Sequence, residues 1–252
     1  MAASALQTDQ LCKSFGALTV AEKIDFRLEA GARHALIGPN GAGKTTFVNM
    51  LTGAIAPSSG RILLGGEDIT KVNQAARVRR GLGRTFQVTT LFRSLPVLDN
   101  VALGIAERDG IARHMWKPAS KHGEITDEAM QLLATLALTS DARTPVKDLP
   151  YGRQRLVEIA IALGLKPKVL LLDEPAAGVP SQDSGRILEV LAALPGDIAI
   201  LIIEHDMDLV FRFAQRITVL VQGEVLVEGP PEEIARDRRV HQVYLGEQRH
   251  VV

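Results

Sequence analysis

The sequence predicts an α/β fold built on a mainly parallel sheet covered by helices on both faces. Short, near-continuous apolar runs, Val169–Leu172 and Ile198–Ile203, have the texture of strands buried on both sides. They alternate with stretches of helical apolar spacing, the order that parallel sheets require. A third observation fixes the type of core. Gly38-Pro39-Asn40-Gly41-Ala42-Gly43-Lys44-Thr45-Thr46 fits G-x-x-x-x-G-K-[ST] in full, between an apolar strand at His34–Ile37 and a helical run from Lys44 to Leu51.

That strand, loop and helix make a P-loop NTPase core. Glycines let the backbone approach phosphate oxygens without a Cβ in the way. Successive amides form an anion nest, and the helix opening at Gly43–Lys44 adds its N-terminal dipole. Lys44 is placed to reach the β- and γ-phosphates of a bound nucleotide, and the Thr45 hydroxyl to ligate Mg²⁺.

In chain order, residues 5–13 and 24–28 read as strands around a turn at Phe15–Gly16, an antiparallel part near the N-terminus. By position alone Phe15 suits an ordinary core phenylalanine, although a phosphate loop downstream also suits a ring that stacks on a base. Gly53 is a C-terminal stop for the first helix. Arg61–Leu64 and the Gly65-Gly66 turn suggest a hairpin. Asn73–Arg80 reads as a short basic helix whose arginines Arg77, Arg79 and Arg80 form a solvated face. Gly83–Phe86 is a further strand, ending at Gln87.

From Val97 to Leu138 the spacing turns helical, with Pro96 at one helix start and Thr126 as the N-cap of another. The polar stretch 108–123 between them contains Met115 and Trp116, read as satellite packing rather than as a contact surface. Pro150 suits the entry to the helix Leu156–Leu165, and Gly152 with nearby N–H groups could cap an anion. Strand and helix alternation then resumes: a helix at 181–194, another at 206–214, a hairpin of 217–221 and 224–228 about Gln222–Gly223, and a helical tail over Pro231–Leu245.

Bulk properties bound the function. The chain has 252 residues, is 46% hydrophobic, and balances 29 Lys and Arg against 29 Asp and Glu, which argues against a general nucleic-acid partner. Its one cysteine, Cys12, allows no internal disulfide and fits a reduced cytoplasmic compartment. No apolar run has the length of a membrane span, so work at a membrane would need other chains to supply the spanning helices.

Two further strand ends carry polar clusters. Leu170-Leu171-Leu172-Asp173-Glu174 ends in two carboxylates: Asp173 is placed for magnesium, and Glu174 could polarise an attacking water as a general base. Ile202-Ile203-Glu204-His205-Asp206 repeats the theme, and an imidazole there could hydrogen-bond a γ-phosphate.

The ordered set GPNGAGKTT, TFQ at 85–87, LPYGRQR at 149–155, VLLLDEP at 169–175 and EHD at 204–206 resembles an ATP-binding cassette ATPase over nearly the whole chain. The resemblance implies that residues 1–252 are a single ATP-binding cassette domain, with a helical subdomain at 88–156 and a C-terminal helical tail at 230–252. It implies that Gly38 to Thr46 bind ATP, that Thr45, Gln87 and Asp173 serve Mg²⁺, and that Gln87 also senses the γ-phosphate. Glu174 would be the general base, His205 a switch histidine and Phe15 the ring stacked on adenine. Tyr151, Gly152 and Arg153 lie in the signature offered to a partner's nucleotide.

GRTFQ at 83–87, DEPAAG at 173–178, EHDMDLV at 204–210 and VYLGE at 243–247 are similar to the ATPases of branched-chain amino acid importers. Such ATPases sit on the cytoplasmic face of a cell membrane. Their partners are a second cassette ATPase, two permease subunits and, indirectly, a periplasmic binding protein. The alternatives are a lipid-export-type cassette ATPase, which has a similar C-terminal end, and a soluble cassette ATPase that regulates rather than transports. Two departures stand out. Pro150 takes the place of the signature serine, with Tyr151 for a glycine and Arg153 for a glutamine, and Pro180 takes the place of an Asp. Both concern what this chain offers a partner.

Overall fold

The computed structural model describes residues 4–85, 91–111 and 123–247. They form two compact units, one of Met1–Arg77 with Pro195–Val252 and one of Val78–Leu194.

The first unit opens with a long antiparallel hairpin, β1 (Ser4–Phe15) and β2 (Leu18–Glu29), paired from Ser4↔Glu29 to Phe15↔Leu18. On its other edge β1 pairs with β4 (Ser59–Leu64), which turns through Gly65–Gly66 into β5 (Glu67–Asp68). The same unit holds a second, mostly parallel set. There β3 (Arg33–Ile37) lies parallel to both β8 (Ala199–Ile203) and β9 (Arg216–Val221), and β10 (Glu224–Gly229) returns antiparallel to β9. Every residue of β3 and β8 is buried, the pattern the continuous apolar runs predict. Phe26 of β2 ties the parts together. Its ring stands 5.5 Å edge-on from Phe47 of α1 (Lys44–Thr52) and 5.0 Å from His34 of β3.

Helix α1 ends where expected, at Gly53, whose φ of 80° lets its N–H reach the Met50 carbonyl. Its C-terminus also contradicts one expectation. Arg77, on α2 (Gln74–Arg79), is not on a solvated face: it is 1% exposed. Its guanidinium donates to the Met50, Leu51, Thr70 and Val72 carbonyls at 2.6 to 2.9 Å. Arginine's planar fork and weak hydration let it cap a helix end where a solvated cation was expected. Burial lowers its pKa, and the negative end of the α1 dipole offsets the cost of the buried charge.

The second unit pairs β6 (Leu82–Thr85) parallel with β7 (Val169–Asp173). Beside them lie α3 (Val97–Arg108, with Pro96 as N-cap), α4 (Gly123–Thr135), α5 (Tyr151–Gly164) and α6 (Ser181–Ala192). Thr126 lies inside α4 rather than capping it. With the helix starting at Gly123, its first-turn acid is Glu124, and Glu128 serves an ion pair instead. The Arg108 guanidinium takes both Glu128 oxygens at 2.5 and 2.9 Å and also donates to the Gly164 carbonyl, holding the Glu128 carboxyl below its ordinary pKa.

The C-terminal part of the first unit holds α7 (Met207–Phe213), α8 (Pro231–Ile234) and α9 (Arg238–Glu247). The single helix expected over 231–245 is thus two. The Asp237 side chain accepts from the Arg239 N–H at 2.8 Å and pairs with its guanidinium, a local turn that competes with a continuous helix. Phe86, Met115, Trp116 and residues 248–252 lie outside the described residues. The fold class predicted from the sequence is the one observed.

Candidate functional site

The phosphate loop runs from the buried strand β3 into α1. Two of its glycines are required by close backbone approach. A Cβ on Gly38 would lie 2.1 Å from the Leu220 carbonyl oxygen, and one on Gly43, at φ 98°, 2.5 Å from that of Val20. The loop is held from behind by the hairpin turn of β9 and β10, where Gly223 N–H donates to the Ala42 carbonyl and Glu22 N–H to that of Gly223. Pro39, Ala42 and Gly43 are at least half-buried, whereas Asn40, Gly41 and Thr45 are exposed and Thr46 half-buried. Gly43 as N-cap has no side chain to satisfy the first-turn amides of α1, which leaves that helix end suited to an anion. The Lys44 ammonium folds back over the loop, 2.5 Å from the Gly38 carbonyl oxygen and 2.9 Å from that of Pro39.

Behind the loop, His34 of β3 is buried. Its Nε2 lies 2.8 Å from the Thr218 hydroxyl, which donates to Glu228, itself paired with Arg216. Because the threonine proton goes to the carboxylate, His34 donates through Nε2. Burial drives its pKa down to about 4. The unfolded chain therefore binds a proton below about 6.5 that the folded chain refuses until about 4. The stability present above pH 6.5 should fall as pH drops through that window, by about 1 to 2 kcal/mol from pH 7 to pH 5. Urea midpoints at the two pH values should differ by less in His34→Gln, and an undiminished drop would assign the acid sensitivity elsewhere.

Phe15, at the tip of the β1–β2 hairpin, is 50% exposed, so it is not the core phenylalanine its position suggests. The Lys13 ammonium stands 4.8 Å from the ring centroid and donates to the Ala56 carbonyl, covering one ring face. Also in the first unit, β8 is followed by Glu204, which is buried, and His205, whose side chain is 67% exposed with Nδ1 4.0 Å from a Glu204 oxygen. Asp206 then caps α7, accepting from the Asp208 and Leu209 amides.

The second unit holds the remaining candidates. Asp173 closes β7 and is buried. Arg84 of β6 donates to its Oδ2 at 2.9 Å. Glu174 follows with φ 48°, a left-handed conformation that costs a residue with a Cβ. Tyr151 opens α5, 41% exposed, with the Arg155 guanidinium 5.0 Å from its ring. Burial raises the Glu158 pKa against the opposing pull of its partner Arg155. Arg153 is turned to Asp141 in an ion pair. A pocket of about 150 Å³ opens beside Pro150, Gly152 and Arg153. Gln87 lies outside the described residues.

The structure thus brings the phosphate loop, Phe15 and His205 into one unit, and Asp173, Glu174 and Tyr151–Arg153 into the other. Sequence reasoning missed Arg84. It stands inside GRTFQ, but only pairing of β6 with β7 reveals which carboxylate it meets.

A family model described as ABC transporter matches residues 21–177, and one described as branched-chain amino acid ATP-binding cassette transporter matches 224–250. The high-affinity branched-chain amino acid transport ATP-binding protein LivG of Escherichia coli K12 is 36% identical, covering 96% of this chain and 98% of its own. The corresponding protein BraF of Pseudomonas aeruginosa is 34% identical with the same coverage. A crystal structure of the ADP conformation of an ATP-binding cassette of an ABC transporter superposes with a TM-score of 0.85 at 29% identity, covering 96% of this chain and 99% of that one. With the phosphate loop built as described and both the family model and full-length relatives matching, the chain belongs to the ATP-binding cassette family of ABC transporters.

Proposed function

We propose that this chain is the ATP-hydrolysing subunit of a membrane importer for branched-chain or closely related amino acids. The observation that carries the reading is full-length similarity to branched-chain amino acid transport ATP-binding proteins on a chain with an intact phosphate loop. The C-terminal match at 224–250, to a model described as branched-chain amino acid ATP-binding cassette transporter, supports the amino-acid cargo class.

In this reading Gly38 to Thr46 hold the ATP phosphates, Lys44 neutralises charge on the β- and γ-phosphates, and Phe15 offers its uncovered face to adenine. Thr45, Asp173 and Gln87 would hold the metal. The donors suit magnesium: they are hard oxygens, and among the described residues no three His, Cys, Asp or Glu side chains form a cage of their own, so phosphate and water would fill the shell. Magnesium, when bound, neutralises charge that builds on the phosphate oxygens. Glu174 accepts the proton of the water that attacks the γ-phosphorus, and His205 hydrogen-bonds the transferred phosphoryl group.

Tyr151, Gly152 and Arg153 face a partner cassette's nucleotide, and Pro150 can offer it neither hydroxyl nor N–H. With the Arg153 guanidinium held by Asp141, backbone amides at the start of α5 are the better donors. Residues 88–156 act as the helical subdomain that meets the permeases. Among the described residues no helix is long and apolar enough to cross a membrane. The chain works peripherally on the cytoplasmic face, with two permease subunits, a second cassette ATPase and, through them, a periplasmic binding protein, and with no nucleic-acid partner.

The test is affinity isolation from detergent-solubilised membranes with mass spectrometry of what accompanies the chain. Two multi-spanning permeases and a second cassette ATPase are expected. Recovery of soluble partners alone would refute the transporter reading.

A further inference from the structure

The buried carboxylate of Asp173 is held before any metal arrives. In the parallel pair of β6 and β7, Arg84 stands opposite Leu171, two residues short of the strand end that carries Asp173. The Arg84 side chain crosses that offset and donates through Nη2 to Asp173 Oδ2 at 2.9 Å. Both side chains are nearly excluded from solvent, at 12% and 5% exposure. A guanidinium reaching that depth loses hydration, which a surface-seeking cation would avoid. Its contact occupies one carboxylate oxygen and leaves the other. Among the described residues Asp173 belongs to no group of three or more His, Cys, Asp or Glu side chains that could hold a metal by themselves.

We infer that Arg84 is a positioning residue for metal binding: it clamps Oδ2 of Asp173 so that Oδ1 is presented to magnesium in a single orientation. The inference rests on the reading of Asp173 as a metal residue. Side chains that orient a ligand from behind act through that ligand, and their loss commonly weakens metal affinity by about 10- to 100-fold. An opposite effect is conceivable on Coulombic grounds, since Arg84 and the metal are both cations. Loss of an orienting clamp weakens metal binding, whereas loss of a competing cation tightens it, so the sign of the Arg84→Met effect distinguishes the two. The position of Arg84 on β6, three residues before Gln87, also ties the orientation of Asp173 to the strand that leads into that segment.

The experiment measures the affinity of the full chain for a fluorescent, non-hydrolysed ATP analogue in EDTA and in saturating magnesium. The ratio of the two affinities is the readout, and it needs no turnover. Arg84→Met should leave the metal-free affinity within about twofold of wild type and reduce the magnesium-induced tightening by about 10-fold or more. A ratio equal to wild type makes the ion pair a purely structural contact and overturns the inference, as does a larger ratio, which would make Arg84 a competitor of the metal. If Arg84→Met is insoluble, Arg84→Lys serves. It keeps the charge but not the planar reach, so the ratio should again fall, and a wild-type ratio overturns the inference. Asp173→Asn separates the two levels of argument. It should abolish the tightening, and if it does not, Asp173 is not a metal residue and the inference falls with that reading rather than on Arg84.

Discussion

Lys44→Ala is expected to lower ATP turnover by about 10²- to 10³-fold, the cost of removing a preorganised charge from the site where charge builds. The ammonium sits across the mouth of the loop, on the Gly38 and Pro39 carbonyls, so it is already positioned and needs only a short swing to meet a phosphate. The loop itself does not depend on it. Its path is set by the close approach of Gly38 to Leu220 and of Gly43 to Val20, and by the Gly223 N–H on the Ala42 carbonyl. The variant should therefore melt within a few degrees of wild type while nucleotide affinity and turnover both drop. In the assembled importer, substrate uptake should vanish with turnover. Uptake that survives the substitution would mean that this loop does not power transport.

The phosphate loop and the two strand-end clusters were legible because their chemistry is local. Glycines at fixed offsets, a lysine and a hydroxyl at a helix start, and carboxylates after an apolar run are properties of a few consecutive residues. Arg77 was misread for the converse reason. A basic helix looks solvated, and nothing in 73–80 indicates that the end of α1 and the segment before α2 will each place two carbonyls around one guanidinium. Phe15 is exposed for a related reason: the strands of the β1–β2 hairpin run beyond the 5–13 and 24–28 that the apolar pattern predicts and put Phe15 at the tip. The pairs His34 with Thr218 and Arg84 with Asp173 span 184 and 89 residues, and only strand register brings them together. Periodicity predicts which face a side chain lies on but not which partner it meets there.

Glu174→Gln should retain nucleotide binding and lose about 10²- to 10⁴-fold in turnover, the range that a positioned general base contributes. Glutamine keeps the shape and removes only the capacity to accept a proton from water, so a binding defect is not expected. A second variant separates this chemistry from stability. Glu174 is held at φ 48°, where a side chain with a Cβ is strained, and its carbonyl is fixed by the Ala177 N–H at 3.0 Å. Glu174→Gly adopts that conformation without strain and should raise stability by about 1 kcal/mol while abolishing turnover. Strain accepted at a position where glycine would fit is what selection for the carboxylate would leave behind. Thermal denaturation and single-turnover hydrolysis of the two variants check both halves. If Glu174→Gln hydrolyses ATP at the wild-type rate in the assembled complex, the base is another group. If Glu174→Gly is dead but no more stable, the left-handed turn stores no strain and the carboxylate alone explains the residue.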